Sequence, residues 1–301
     1  MGNKFNILLA TDYSDAIMNA ERYAFQFAKY TKSHLRIIHV FKFKPLLGII
    51  EESDYGAGEY YPLEEEINKL EQHVLLILAS LQINTYDVKY ECVVREGNIR
   101  EEIMSEAVES GSDLIIAGTH GVGLLQKIML GTHTWDIIKN SAVPVLAIPE
   151  DALFTGIRHV AYVAEFREEE INAIYFLNEF ANAMQAQLTV LHITNYSKSR
   201  EFEKFMFDKF RKELNNKIKQ PPVKIFMLRH EDKVTGLNIF CMINKISWLA
   251  MSNGKSNWVE KIIYPDGSGI RKMTFNTHVP LFIIPDIYDP IANPDLLLKT
   301  I

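Results

Sequence analysis

Short apolar runs alternate with segments of helical spacing along the first 150 residues. The runs are too short for buried helices and are apolar on both faces, which is typical of strands covered on both sides. Between them, apolar residues recur at helical intervals, as in the stripe Ala20, Ala24, Phe27 and Ala28. The pattern predicts strands at residues 7–10, 35–41, 87–94, 113–117 and 143–149, and helices at residues 15–32, 63–81, 99–109 and 135–140.

This alternation predicts an α/β fold with a parallel sheet. Parallel strands need crossover connections, and these crossovers are right-handed in nearly all proteins. The connecting helices then lie on both faces of the sheet. We therefore expect an open, doubly wound sheet of five strands.

The second half of the chain repeats the first. The segment LTVLHI at residues 188–193 matches LRIIHV at 35–40, and VPLFIIP at 279–285 matches VPVLAIP at 143–149. A repeat of this length indicates duplication of a whole domain rather than a solenoid. The sequence thus predicts two tandem, doubly wound, five-stranded sheets related by pseudo-symmetry. The domains are expected at residues 1–150 and 156–286, with a C-terminal tail at 287–301.

Composition and charge are those of an ordinary globular protein. Apolar residues make up 48% of the chain and charged residues 23%, and the net charge is −6 without a run of Lys or Arg. This balance argues against nucleic acid or an anionic membrane as the main partner. No apolar run approaches the roughly 20 residues of a membrane helix, and no signal-peptide pattern is present, so a cytoplasmic protein is expected. Cys92 and Cys241 form no CxxC pair and are expected to be buried, free thiols in a reducing compartment.

The candidate chemistry follows the fourth predicted strand. Gly118, Gly121 and Gly131 allow the backbone to bring its N–H groups close to a ligand, and Thr132 adds a hydroxyl beside a helical stretch. In an open parallel sheet, ligands bind beyond the carboxyl ends of the strands, at the switch point. A helix N-terminus there presents free N–H groups and the positive end of a dipole to an anion. These residues predict a phosphate site, in which Thr132 can contact phosphate or a phosphate-bound Mg²⁺.

Two better-known phosphate motifs do not match this loop. The glycines at 118 and 123 are followed by Leu124 and Leu125, where a P-loop needs Lys and then Ser or Thr. The GxG at residues 121–123 continues to Gln126 instead of a third glycine, and it does not follow the first strand. Neither a P-loop nor a dinucleotide-binding fingerprint is therefore predicted.

The spacing that the loop does fit is G-x2-G-x9-G-[S/T], filled by Gly118, Gly121, Gly131 and Thr132. Together with ILLATDYSD at residues 7–15, this motif resembles the universal stress protein family in its ATP-binding branch. The resemblance covers nearly all of the first predicted domain.

The resemblance implies a sheet with the strand order 3-2-1-4-5 that binds ATP or a related adenine nucleotide, AMP or ADP. By position, Asp12 would lie near the nucleoside, and the backbone of Val40 would face the adenine edge. The three glycines and Thr132 would hold the ribose and the phosphates. Asp12 is also suited to capping the helix that follows it, which is compatible with ligand contact.

Members of this family commonly pair through their fifth strands, and the two fifth strands of this chain are equally apolar. Pairing them within the chain would cover two exposed edges, so an intramolecular pseudo-dimer is predicted. A further homodimer and a protein partner of unknown identity are compatible with this arrangement.

The second half has lost part of the glycine motif. Met251 stands where the first half has Gly118, and Glu165 stands where it has Asp12. Glycines survive at residues 254 and 267, but 12 residues separate them instead of 9. The longer spacing should displace the helix N-terminus from the loop. We therefore predict one nucleotide site per chain, in the first half.

Three classes of function are compatible with the sequence. A binding module of the stress response, whose ATP occupancy sets a conformation or a partner affinity, fits the loop best. A slow ATP-hydrolysing enzyme is the second class, and against it the sequence shows no Walker B pairing, metal-ligand cluster or closely spaced nucleophile–base pair. The third is a pseudo-dimeric scaffold that binds no nucleotide, against which Gly131 and Thr132 argue.

Overall fold

The computed structural model describes residues 5–42, 62–121, 128–129, 132–195, 199–219, 222–253 and 279–285. In the first half, strands and helices alternate as the hydrophobic pattern predicts. The elements are β1 (Asn6–Thr11), α1 (Met18–Thr31), β2 (His34–Phe41), α2 (Pro62–Ser80), β3 (Lys89–Glu96), α3 (Ile99–Glu109), β4 (Leu114–Gly118), β5 (His120–Gly121), β6 (Ile128–Met129), α4 (Thr132–Asn140) and β7 (Val145–Ile148).

The second half follows the same order over its described residues. Its elements are β8 (His159–Val163), α5 (Glu170–Ala183), β9 (Gln187–Thr194), α6 (Arg200–Lys217), β10 (Lys224–Arg229), α7 (Lys233–Ile243), β11 (Trp248–Ser252) and β12 (Leu281–Ile284). The tail predicted at residues 287–301 lies outside the described part of the chain.

The main sheet has ten strands in the order β10-β9-β8-β11-β12-β7-β4-β1-β2-β3. Each half therefore has the predicted order 3-2-1-4-5, with parallel pairing inside the half. The fifth strands, β7 and β12, pair antiparallel, so that Leu146 lies opposite Phe282. This confirms the predicted pairing of the halves, with one refinement: the two expected sheets are continuous and form a single sheet. Hydrogen bonding between two apolar edges removes both from solvent.

The halves also share a hydrophobic core on the face covered by α1, α2, α5 and α6. Trp248 of β11 donates its indole N–H to the Tyr23 hydroxyl of α1 at 2.7 Å, and its ring lies 5.3 Å from that of Phe27. Phe5 and Phe180 meet across the same boundary with ring centroids 4.5 Å apart. These contacts join the halves through side chains as well as through the sheet.

The opposite face of the sheet is covered by α3, α4 and α7. Asn98 and Asp232 begin α3 and α7 at equivalent places, and each side chain accepts hydrogen bonds from two backbone N–H groups of the first turn. Both cysteines are free, but only Cys241 is buried; Cys92 is partly exposed, contrary to expectation. Among the helices that the structure describes, none is long and apolar enough to cross a membrane.

Candidate functional site

A cleft opens in the first half beyond the carboxyl ends of β1 and β4, at the switch point of the sheet. Its empty space, counted to the open solvent, is about 700 Å³. Most of its described walls are apolar, because α3 and α4 present isoleucines to it. The described lining consists of Ala10, Thr11, Asp12, Ala16, Ile17, Val40, Ile99, Ile103, Ala117, Gly118, Thr134 and Ile137.

Asp12 lies in the loop between β1 and α1. The helix begins at Met18, later than predicted, and its N-cap Ile17 makes no side-chain cap. The Asp12 carboxylate instead accepts the N–H of Ser14 at 2.9 Å, which closes a turn within the loop. Asp12 is therefore not the helix cap considered from the sequence. It is exposed at the rim of the cleft. Among the described lining residues, it is the one with a charged side chain.

Val40 lies just beyond the last residue of β2 that pairs with β1. The β1–β2 register ends at Thr11 opposite His39, whereas β2 continues beside β3 through Phe41. No strand of the described structure covers the backbone of Val40 on the β1 side. Val40 also lines the cleft.

Gly118 ends β4 at a point of close approach. A Cβ atom on this residue would lie 3.0 Å from Cγ1 and 3.3 Å from Cα of Ile17. The Thr134 hydroxyl of α4 donates to the Gly118 carbonyl at 2.8 Å. A larger residue here would require Ile17 to move by a few tenths of an ångström, so the end of β4 leaves little room for a side chain.

The other predicted site residues, Gly121, Gly131 and Thr132, lie at or beyond the borders of the described segments. Gly121 pairs with Ile128 in the short antiparallel ladder of β5 and β6, which the sequence pattern did not predict. Helix α4 begins at Thr132 rather than at residue 135, so its N-terminus starts directly after the third glycine. Gly131 itself lies outside the described residues, as does the side chain of Thr132.

Sequence reasoning missed the apolar wall and Thr134. Ile99 and Ile103 are four residues apart at the start of α3, a spacing that places both on one helix face. That signal marked a buried face but did not reveal that it borders a cleft. Within the described ranges, no group of His, Cys, Asp and Glu is arranged to hold a metal ion.

The equivalent place in the second half is occupied by side chains. The strand register corrects the sequence comparison here: Ser252 pairs with Ile284 as Gly118 pairs with Ile148, so Ser252, not Met251, takes the position of Gly118. Met251 matches Ala117 and is 1% exposed, and Glu170 takes the position of Ile17. The Glu170 carboxylate accepts the N–H groups of Glu165 and Arg167 at 3.0 Å. The Arg167 guanidinium lies 3.7 Å from Glu170 and 3.8 Å from Glu165. An ionic cluster around the buried Glu170 carboxylate thus takes the place of Ile17 in the second half.

This cluster predicts a pH-dependent stability. Burial raises the pKa of Glu170 from 4.5 to about 7. Between these values the unfolded chain releases a proton that the folded chain retains, so stability falls as the pH rises. We expect Glu170 to account for a loss on the order of 2 kcal/mol across this window, and Glu170→Gln to remove it.

Chemical denaturation at pH 5 and pH 8 checks this expectation. Glu168→Gln is the matched control, since Glu168 lies two residues away with its side chain 71% exposed. Equal pH dependence of unfolding in the wild type and in Glu170→Gln would contradict the assignment.

Comparisons with known proteins agree with the fold. The sequence model of the Universal stress protein family matches residues 5–149. Two universal stress proteins of Methanocaldococcus jannaschii are 31% identical over 142 residues and 30% identical over 157 residues. The matched regions cover 47% of this chain in both cases, and 80% and 93% of the relatives. The crystal structure of a universal stress protein from Archaeoglobus fulgidus covers 95% of this chain and 100% of its own, with a TM-score of 0.66 and 16% identity.

Proposed function

Because this chain belongs to the universal stress protein family, we propose that its first half binds an adenine nucleotide in the cleft beyond β1 and β4. ATP is the proposed ligand, with AMP and ADP as related ligands and Mg²⁺ accompanying the triphosphate. The observation that carries the proposal is an apolar-walled cleft that ends at Gly118 and at the start of α4. Apolar walls suit a purine base, and a helix N-terminus suits phosphate.

Each site residue then has a role suited to its position. Asp12 at the rim binds the ribose, and the uncovered backbone edge of Val40 reads the adenine. Gly118 keeps the end of β4 open, while Gly121 and Gly131 bring backbone N–H groups to the phosphates. Thr132, as the first residue of α4, adds its hydroxyl.

We propose a regulatory function rather than a catalytic one. The Asp12 carboxylate is already engaged by the Ser14 N–H, and the other described lining side chains do not ionise. Nucleotide occupancy would set the conformation of the β1–α1 loop, and a protein partner would respond to it under stress. In this proposal residues 1–150 form the nucleotide-binding domain, and residues 156–286 form a degenerate partner domain.

Titration calorimetry with ATP tests the site, and mass spectrometry of the ligand released from purified protein tests its identity. We expect one nucleotide per chain. Gly131→Val should weaken binding by about 2 kcal/mol, or roughly 30-fold, because a branched side chain would meet the phosphates.

The alternatives give different results in the same experiment. Two equivalent sites per chain would contradict the degenerate second half. Unchanged affinity in a folded Gly131→Val protein would contradict the site assignment, and a chain that binds no adenine nucleotide would favour the scaffold function.

A further inference from the structure

A buried hydrogen-bond network lies next to the loop that carries Asp12. It is on the face of the sheet opposite the cleft wall formed by Ile99, Ile103 and Ile137. Its centre is the carboxylate of Glu21 on α1, which is 1% exposed. Glu21 accepts the hydroxyl proton of Thr11 and lies 2.9 Å from Nε2 of His73 on α2. The Thr11 hydroxyl in turn accepts the N–H of Tyr13 at 3.2 Å. The residues on either side of Asp12 are therefore both tied to Glu21.

A second contact holds the same loop from β2. His39 donates its Nδ1 proton to the Thr11 carbonyl at 2.9 Å, and its ring stacks on Tyr13 at 4.2 Å. Tyr13 has a φ of 63°, a left-handed conformation that a bulky residue adopts only when its surroundings hold it there. Burial lowers the pKa of His39, which favours the neutral ring that this stack requires.

The two halves share the stack but not the carboxylate network. Phe166 also has a φ of 63° and stacks at 4.1 Å on His192, whose Nδ1 donates to the Ala164 carbonyl at 2.7 Å. However, Ala164 replaces Thr11, and Ile174 replaces Glu21. The aromatic–histidine stack is thus a feature of the fold. The link through Glu21 and His73 is present only in the half that keeps the nucleotide loop.

We infer that Glu21 and His73 are positioning residues that hold the β1–α1 loop for the nucleotide, and that the charge of His73 is coupled to nucleotide affinity. This inference rests on the proposed function. A buried carboxylate is costly unless an opposite charge or hydrogen bonds compensate it. Protonated His73 supplies that charge; when it loses its proton, Glu21 draws more strongly on the Thr11 hydroxyl and the loop shifts.

The sign of the coupling follows from linkage. If the binding-competent loop is favoured by protonated His73, nucleotide binding favours proton uptake, and affinity falls as the pH rises. Other charged or titratable groups facing the network are Glu66 and Lys69 of α2, His39 of β2, Cys92 of β3, and Asp12 and Tyr13 of the loop.

Calorimetry with ATP at pH 6 and pH 8 measures the coupling. The variant His73→Gln keeps an N–H donor for Glu21 but cannot become charged, and Glu71→Gln is a control for charge removal on the exposed side of the same helix. Protonation of ATP itself changes the measured affinity equally for all variants. The ratio of the affinities at pH 6 and pH 8, compared between variants, therefore reports the contribution of the network. We expect affinity to fall about fivefold more in the wild type and in Glu71→Gln than in His73→Gln. Equal pH dependence in His73→Gln and the wild type would overturn the inference.

A measurement without nucleotide separates this inference from the proposed function. In NMR spectra of the free protein recorded between pH 6 and pH 8, the backbone amides of Asp12, Tyr13 and Ser14 should shift with pH. The same amides should lose this pH dependence in His73→Gln and keep it in Glu71→Gln. If the chemical shifts of the loop amides change equally with pH in His73→Gln and in the wild type, the positioning role is contradicted. If the shifts depend on His73 in a chain that binds no ATP, the positioning role is supported and the proposed function is contradicted.

Discussion

Replacing Glu106 with alanine is expected to lower the free energy of unfolding by about 1.5–3 kcal/mol. The side chain of Glu106 on α3 is 0% exposed and binds two guanidinium groups, those of Arg36 on β2 and Arg95 on β3. Arg95 donates to it at 2.7 and 3.0 Å. Without Glu106, two cations would face each other with their shared partner gone. Chemical denaturation measures the loss.

The titration of Glu106 gives an independent check. Burial by itself would raise the pKa of this carboxyl, but the hydrogen bonds from Arg95 and Arg36 hold it below its usual value. Its contribution to stability is therefore present at neutral pH and lost as the pH falls through its folded pKa. Glu106→Ala should lack that acid-dependent loss.

The second half supplies the residues for a compensating variant that tests this prediction. At the positions equivalent to Arg36, Arg95 and Glu106 it has the uncharged residues Thr189, Leu228 and Phe240. Replacing a whole buried ionic network with apolar residues is often neutral or stabilising, whereas removing one partner is not. The triple variant Arg36→Thr, Arg95→Leu, Glu106→Phe should recover most of the loss. A Glu106→Ala protein as stable as the wild type would show that solvent, not the network, satisfies the two arginines.

Gly118→Met should weaken ATP binding by about 100-fold, on the upper part of the 1–3 kcal/mol scale of overpacking. The second half has the smaller Ser252 at this position. A side chain at position 118 would begin 3.0 Å from Cγ1 of Ile17. Ile17 lines the cleft, so a methionine would have to displace part of its wall. Titration calorimetry measures the affinity, and a thermal unfolding curve reports whether the variant is folded.

The control for Gly118→Met copies a residue of the second half. Val40→Ile introduces the side chain of the equivalent Ile193, and it should keep affinity because Val40 acts through its backbone. Full ATP affinity in a folded Gly118→Met protein would contradict the proposed position of the nucleotide.

The order and type of the elements could be predicted from the sequence, because hydrophobic periodicity is a local property. The alternation in the first half and the duplication follow from apolar runs and their repetition. The pairing of β7 with β12 was expected from the family resemblance together with the apolar character of both strands. The glycine spacing pointed to the end of β4, where the structure has its cleft. The boundaries were less accurate, as for α1, since turns such as that of Asp12 and Ser14 depend on side-chain hydrogen bonds.

Only the tertiary structure decided which distant side chains meet. Arg36 and Glu106 are 70 residues apart, and Glu21 and His73 are 52 apart. No local pattern distinguishes such a buried carboxylate from a solvated one on a helix. The contrast between Ile17 and Glu170 has the same origin. Either residue is compatible with the start of a helix, and the sequence around it does not show whether it will be buried. The neighbouring elements decide that, as the tertiary structure shows. Burial and pairing of charges are set by packing between elements, and the sequence alone determined only which elements there are to pack.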